Sequence, residues 1–106
     1  MSGEATYFRD HEFDKLGLDK REFKAGDEIE GFLKAWMEAS EADAKKEAKE
    51  RLTKAVQGAV EDLEYRYRNA DAYGDDEVMR YTRRMQGQWK KWSNHHKVEI
   101  TFDELD

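Results

Sequence analysis

The chain has 106 residues, of which 42% are charged, and a formal net charge of −6, so we expect a single domain spanning residues 1–106 with a small core. Three Trp and 12% aromatic residues argue against a chain that cannot collapse, while the absence of Pro favours long helices. The absence of Cys excludes disulfides and thiolate chemistry.

The first predicted helix covers residues 28–39. Its apolar residues recur at helical spacing and form one wide stripe: Ile29, Phe32, Leu33, Trp36 and Met37. Asp27 is the expected N-cap, and Glu30 three positions later completes a capping-box pattern.

The second predicted helix, residues 41–72, has the most regular pattern in the chain. Its narrow, alanine-rich stripe is Ala44, Ala48, Leu52, Ala55, Val56, Ala59, Leu63, Tyr67 and Ala70. Acids precede bases by four residues in five pairs, including Glu47 with Arg51 and Glu64 with Arg68. The pattern allows one bent helix over residues 28–72, but we favour a break near Ser40, which could cap the second helix.

A third helix is predicted over residues 76–93. Gly74 is expected to end the preceding helix in the left-handed conformation, and Asp75 or Asp76 to cap the new one. Its expected buried stripe is Val78, Tyr81, Met85, Trp89 and Trp92. The alternation of Val98, Ile100 and Phe102 with polar residues predicts a short strand over residues 98–102. Residues 5–9 are its only evident hairpin partner.

These elements define the expected fold class, a mainly α, small three-helix domain of amphipathic helices. A short terminal β-strand or a two-stranded hairpin is possible beside them. Because the apolar content is thin and the second helix has an alanine-rich seam, we also expect a homodimer that shares Leu52, Val56, Ala59 and Leu63.

Charge is strongly segregated along the chain. Residues 78–98 carry six bases and no acid, whereas residues 1–77 carry 13 bases and 21 acids. The bases Arg80, Arg83, Arg84, Lys90 and Lys91 fall on the face of the third helix opposite its apolar stripe. This face could lie against the protein's own acids along the first helix or the acidic tail, contact nucleic acid, or bind an acidic protein. Tyr65, Tyr73 and Tyr7 are further candidate partner contacts.

Catalytic and metal chemistry have no supporting motif. The sequence contains no GxSxG, Walker, dinucleotide, HExxH or EF-hand pattern, and Ser2, Ser40 and Ser93 lie in cap-like or terminal settings. His95 and His96 are adjacent and diverge on a helix, so a metal shared with His11 would need a long-range fold. We therefore expect no enzyme activity, no cofactor and no metal.

The sequence predicts a protein that works by binding. No stretch approaches a membrane span and the amino terminus lacks the apolar run of a signal peptide, so a cytoplasmic location and no membrane partner are expected. In its shortness, charge richness and lack of catalytic motifs, the chain resembles small accessory proteins of phages and mobile elements, which act in the host cytoplasm. The resemblance implies an inhibitor or adaptor acting on a larger complex, in one version by mimicking DNA with its acids. The alternatives are direct nucleic-acid binding through Arg80–Lys97, which the acidic balance disfavours, and a structural or assembly role.

Overall fold

A computed structural model describes residues 25–105, and the predicted hairpin partner at residues 5–9 lies outside this range. Within these residues three helices follow in order: α1 (Asp27–Glu38), α2 (Ala42–Tyr73) and α3 (Asp76–His96). The three predicted helices are therefore confirmed, with ends within three residues of those predicted. The mainly α fold class is confirmed with them.

The 32-residue helix α2 is the centre of the fold. Both α1 and α3 pack against it, and within the described residues no Cα atom of α1 lies within 8 Å of one of α3. Side chains from all three helices and the carboxyl-terminal tail form one core: Ala25, Ile29, Leu33, Leu52, Val56, Val60, Leu63, Met85, Trp89, Trp92 and Val98. Val60, which the predicted stripe omitted, is fully buried because α2 is covered by two neighbours rather than one.

The helix is interrupted between α1 and α2, as predicted. Ala39 and Glu41 have extended backbone angles, so residues 28–72 are two helices. Both predicted caps are wrong. The N-cap of α1 is Gly26, at a φ of 94° that favours glycine, and Asp27 is already helical. The N-cap of α2 is Glu41, not Ser40, and neither N-cap residue makes a side-chain cap hydrogen bond.

The turn between α2 and α3 agrees with its predicted chemistry. Gly74 takes the left-handed conformation at φ 72° and ends α2. The Asp75 carboxylate accepts a hydrogen bond from the Val78 backbone N–H at 3.2 Å, so this residue caps α3.

The tail after α3 does not form the predicted strand, and no strand occurs among residues 25–105. It instead runs along α2 and α3, to which it is hydrogen-bonded. The side-chain amide of Gln57 donates to the Thr101 carbonyl and accepts from the Thr101 N–H, both at 2.9 Å. A glutamine side chain thus makes the pair of bonds that a neighbouring strand would make. The predicted alternation persists, because Val98 is buried, Ile100 and Phe102 pack on the core, and Glu99 and Thr101 are exposed.

A second polar contact holds the tail at Asp103. Glu64, only 3% exposed, accepts hydrogen bonds through Oε2 from the Asp103 N–H at 2.8 Å and from Gln86 Nε2 at 2.9 Å. Gln86 Nε2 also donates to the Asp103 carbonyl at 2.8 Å. The predicted pairing of Glu64 with Arg68 is therefore replaced, and Arg68 pairs with the Asp103 carboxylate. The predicted Glu47–Arg51 pair does form, at 3.1 Å.

The seam predicted for a homodimer is occupied inside the chain. Leu52, Val56 and Leu63 belong to the core and Ala59 packs against it, so these side chains offer no free surface to a second copy.

We expect Val56→Glu to unfold the protein rather than only to separate copies. A carboxylate at a fully buried position would lack a partner, a change that costs several kcal/mol against a total stability of about 5–15 kcal/mol. Circular dichroism should show loss of helix, whereas the exposed control Lys54→Glu should keep its helical spectrum. A folded Val56→Glu monomer would contradict this packing.

We expect Glu64→Leu to loosen the tail, since it leaves the Asp103 N–H and one of the two N–H groups of the Gln86 amide without their acceptor at a cost of about 1–3 kcal/mol. Urea unfolding and hydrogen exchange over residues 98–105 would measure the effect. The control Glu64→Gln keeps an acceptor oxygen and should lose much less; equal losses in both variants would count against the role of this oxygen.

Candidate protein-docking surface

The five predicted cations lie on the outer face of α3, and all five are exposed. Met85, Trp89 and Trp92 are buried on the inner face and fix the orientation of the helix against α2. We call this outer surface the cationic face: Arg80, Arg83, Arg84, Lys90 and Lys91. The five cations predicted from the sequence thus lie together on one side of one helix.

The cationic face has two rows, which follow from the helical repeat of 3.6 residues. Arg80, Arg84 and Lys91 fall in one row opposite the buried tryptophans. Arg83 and Lys90, seven residues apart, form a second row on the shoulder of the helix. Like charges at these spacings repel each other, so the face favours an anionic neighbour.

Aromatic rings support the shoulder row. The Arg83 guanidinium lies 6.0 Å from the centre of the Tyr67 ring of α2, and the Lys90 ammonium lies 5.6 Å from that of Phe102 in the tail. Such contacts are worth about 0.5–1 kcal/mol at exposed sites. They restrict the side chains without neutralising them, so the charge stays available to a partner.

The predicted pairing of this face with the acids of the first helix stays a prediction. Helix α1 packs on α2, and within the described residues no Cα atom of α1 lies within 8 Å of one of α3. Within residues 25–105, no carboxylate lies within 4.0 Å of Arg80, Arg83 or Lys90. The acidic tail lies nearby, but Asp103 pairs with Arg68 of α2, while Lys90 meets the Phe102 ring.

One of the tyrosines lies differently from the prediction. Tyr81, expected in the buried stripe, is 39% exposed, with the Arg84 guanidinium 6.0 Å from its ring centre. Thr82, the next residue, is fully buried instead, because it lies on the side of α3 that faces α2 and the tail. Tyr65 is 64% and Tyr73 88% exposed, as a partner contact requires, but neither ring contacts the cationic face in the described residues. Tyr7 lies outside these residues.

Other kinds of site have less support in the described residues. The rings of His95 and His96 are 4.9 Å apart and nearly perpendicular, and no group of three or more metal-binding side chains occurs between residues 25 and 105. His11 lies outside this range. An open groove of about 700 Å³ beside α2 is lined by residues of both charges, including Lys46, Lys49, Glu61 and Glu99.

No described helix is both long enough and apolar enough to cross a membrane.

No protein-family model, no curated protein sequence and no solved structure matches this chain. The argument for function therefore depends on the geometry and charge of its own residues.

We expect the double variant Arg83→Glu/Arg84→Glu to remain folded, because neither side chain is part of the core. The loss of the ring contacts with Tyr67 and Tyr81 should lower the free energy of unfolding by at most about 2 kcal/mol. Urea unfolding followed by circular dichroism would measure this. A loss above about 3 kcal/mol would mean that the protein's own acids already neutralise the face.

Proposed function

We propose that the protein is a non-enzymatic binding module whose cationic face docks on an acidic surface of a protein partner. The observation that carries this proposal is the concentration of five exposed cations on one helix of a chain that is otherwise acidic. Opposite potentials steer association and determine which surfaces can meet, and here they select an acidic partner.

The geometry of α3 supports a protein rather than a small ligand. The face follows one helix of 21 residues and offers long side chains on a convex surface. Tyr81 lies at its edge, and an exposed tyrosine beside arginines is a composition favoured at protein interfaces. Tyr65 and Tyr73 are further exposed contacts that a large partner could reach.

Direct nucleic-acid binding through Arg80–Lys97 remains the alternative, favoured by the same cations. Two observations weigh against it. Trp89 and Trp92 are buried, so they offer no platform on which bases could stack. The rest of the chain is strongly acidic and repels a polyanion beyond this one face.

Within the protein-binding class, we propose an inhibitor or adaptor that acts on a larger complex in the cytoplasm, as the resemblance to phage accessory proteins implies. A structural role in an assembly is the alternative. A DNA-mimicking version has weaker support, because lysines interleave with the acids over residues 45–54 of α2 and interrupt an anionic surface.

The test compares the wild type with Arg80→Glu/Arg84→Glu as baits in lysate of the source cells, with nuclease treatment. The matched control is Lys46→Glu/Lys54→Glu, which changes the charge equally on the exposed side of α2. We expect an acidic protein to bind the wild type and the control but not the α3 variant. Equal binding by all three would contradict the proposal.

The nucleic-acid alternative has its own measurement. We expect no binding to random-sequence duplex DNA at physiological salt. Micromolar affinity would support the alternative, particularly if it falls with salt at a log–log slope of about −0.9 per phosphate contact and disappears in Arg80→Glu/Arg84→Glu.

A further inference from the structure

A pocket of about 340 Å³ lies at the end of the bundle where three helix ends meet. Its described lining comes from the last turn of α1, the first turn of α2 and the last turn of α3: Trp36, Met37, Lys45, His95 and His96. The pocket forms because α1 and α3 both pack on α2, while no Cα atom of one lies within 8 Å of the other in the described residues. The space between them is bordered by side chains, and no residue of the cationic face is among its described lining.

One side of the pocket is apolar and contains an aromatic ring. Trp36 is partly buried, and the Lys49 ammonium lies 5.4 Å from the centre of its ring. Met37 is 54% exposed, whereas Ile29 and Leu33 of the same helix are buried. Indole rings and thioethers both make favourable contacts with aromatic rings, so this side of the pocket fits the flat ring of a ligand.

The other side of the pocket provides hydrogen-bond donors. The Lys45 ammonium donates one bond, at 3.5 Å, to the Ala39 carbonyl, and no other partner for it occurs among residues 25–105. Because an ammonium has three N–H groups, two remain for a ligand. The exposed His95 ring meets the His96 ring edge to face, at 4.9 Å between centres, and a ring N–H of His95 can donate as well. No carboxylate is among the described lining, so these donors favour an anion.

These features select one chemical class of ligand. An apolar, aromatic side next to an ammonium, with no acid in the described lining, fits a ring that carries a carboxylate. A metal ion is disfavoured, although thioether and imidazole groups are ligands of soft metals, because the Lys45 ammonium repels a cation. The larger groove beside α2 makes no such selection, because its described lining has charges of both signs and no aromatic ring.

We propose that this pocket binds a small aromatic carboxylate. The ring of the ligand lies against Trp36 and Met37, and its carboxylate accepts hydrogen bonds from Lys45 and His95. Ligand pockets have volumes of about 300–1,000 Å³, so one of about 340 Å³ takes a molecule with a single ring rather than a nucleotide. Because the described lining shares no residue with the cationic face, this site goes beyond the proposed docking function and is tested separately.

The experiment is a two-dimensional ¹H–¹⁵N NMR titration of the full chain with phenylacetate. Two matched probes divide the ligand: acetate keeps the carboxylate and lacks the ring, and phenylacetamide keeps the ring and lacks the charge. We expect phenylacetate to bind with a Kd of about 1 mM or below, which is within reach of a ligand of this size. Both matched probes should bind at least tenfold more weakly, because each lacks one of the two contacts.

The same titration locates the site, because the three Trp residues of the chain report on different places. The indole N–H signal of Trp36 should shift with phenylacetate. The signal of Trp89, which is buried in the core and is not among the described lining of the pocket, should stay in place.

Two matched lysine variants test the carboxylate contact. Lys45→Gln removes the charge and should weaken phenylacetate binding at least tenfold. Lys46→Gln makes the same change at the next exposed residue, which is not among the described lining, and should leave the Kd unchanged. Met37→Gln tests the apolar side and should weaken binding severalfold. All three side chains are exposed, so circular dichroism should show the same helix content in every variant.

A wild type that gives no saturable shifts with phenylacetate up to about 10 mM, tenfold above the expected Kd, would overturn the inference. Equal affinities for phenylacetate and acetate, or for the wild type and Lys45→Gln, would also overturn it. Shifts centred on Arg83 and Lys90 instead of Trp36 would place the acid on the cationic face and likewise count against the pocket. If phenylacetate does not bind but Arg80→Glu/Arg84→Glu still abolishes capture of an acidic protein, only the pocket inference fails and the proposed function stands.

Discussion

The fold depends on the burial of α2 from two sides. With only 38% hydrophobic residues, the chain can build a core only if one helix serves both neighbours, and α2 has Leu52, Val56 and Val60 fully buried along its length. Because α1 and α3 each use their apolar face on α2, the opposite face of each remains on the surface. The exposure of the cationic face is thus a consequence of how the core is divided among three helices.

The tail completes this core by a polar mechanism. Val98 and Leu105 are buried, but the backbone between them needs hydrogen-bond partners that α2 and α3 cannot offer from their own helical backbones. Gln57, Glu64 and Gln86 supply these partners through side chains. A buried carboxylate costs free energy unless donors surround it, and the two donors on Glu64 Oε2 reduce that cost while fixing the register of the tail.

The sequence predicted what depends on local spacing and missed what depends on tertiary partners. Apolar periodicity located the helices, and the Gly74–Asp75 turn followed from local chemistry. The tail's period of two correctly indicated the alternation of covered and exposed side chains, but not that glutamine and glutamate side chains would replace a neighbouring strand. The exposure of the cationic face was predictable from the stripe opposite it. Its ring contacts with Tyr67 and Phe102 were not, since both partners are distant in sequence.

The aromatic rings beneath Arg83 and Lys90 affect how strongly the cationic face can bind an acidic partner. Exposed arginine and lysine side chains lose roughly 0.5–1.5 kcal/mol each in conformational freedom when an interface immobilises them. Arg83 and Lys90 have already lost part of this freedom to the rings beneath them, while their charges remain on the surface. The remaining cost falls mainly on the outer row, where Arg80 lies near no described carboxylate. The charges of both rows act over about 8–10 Å at ordinary salt, so they speed encounter with an acidic surface before any contact forms.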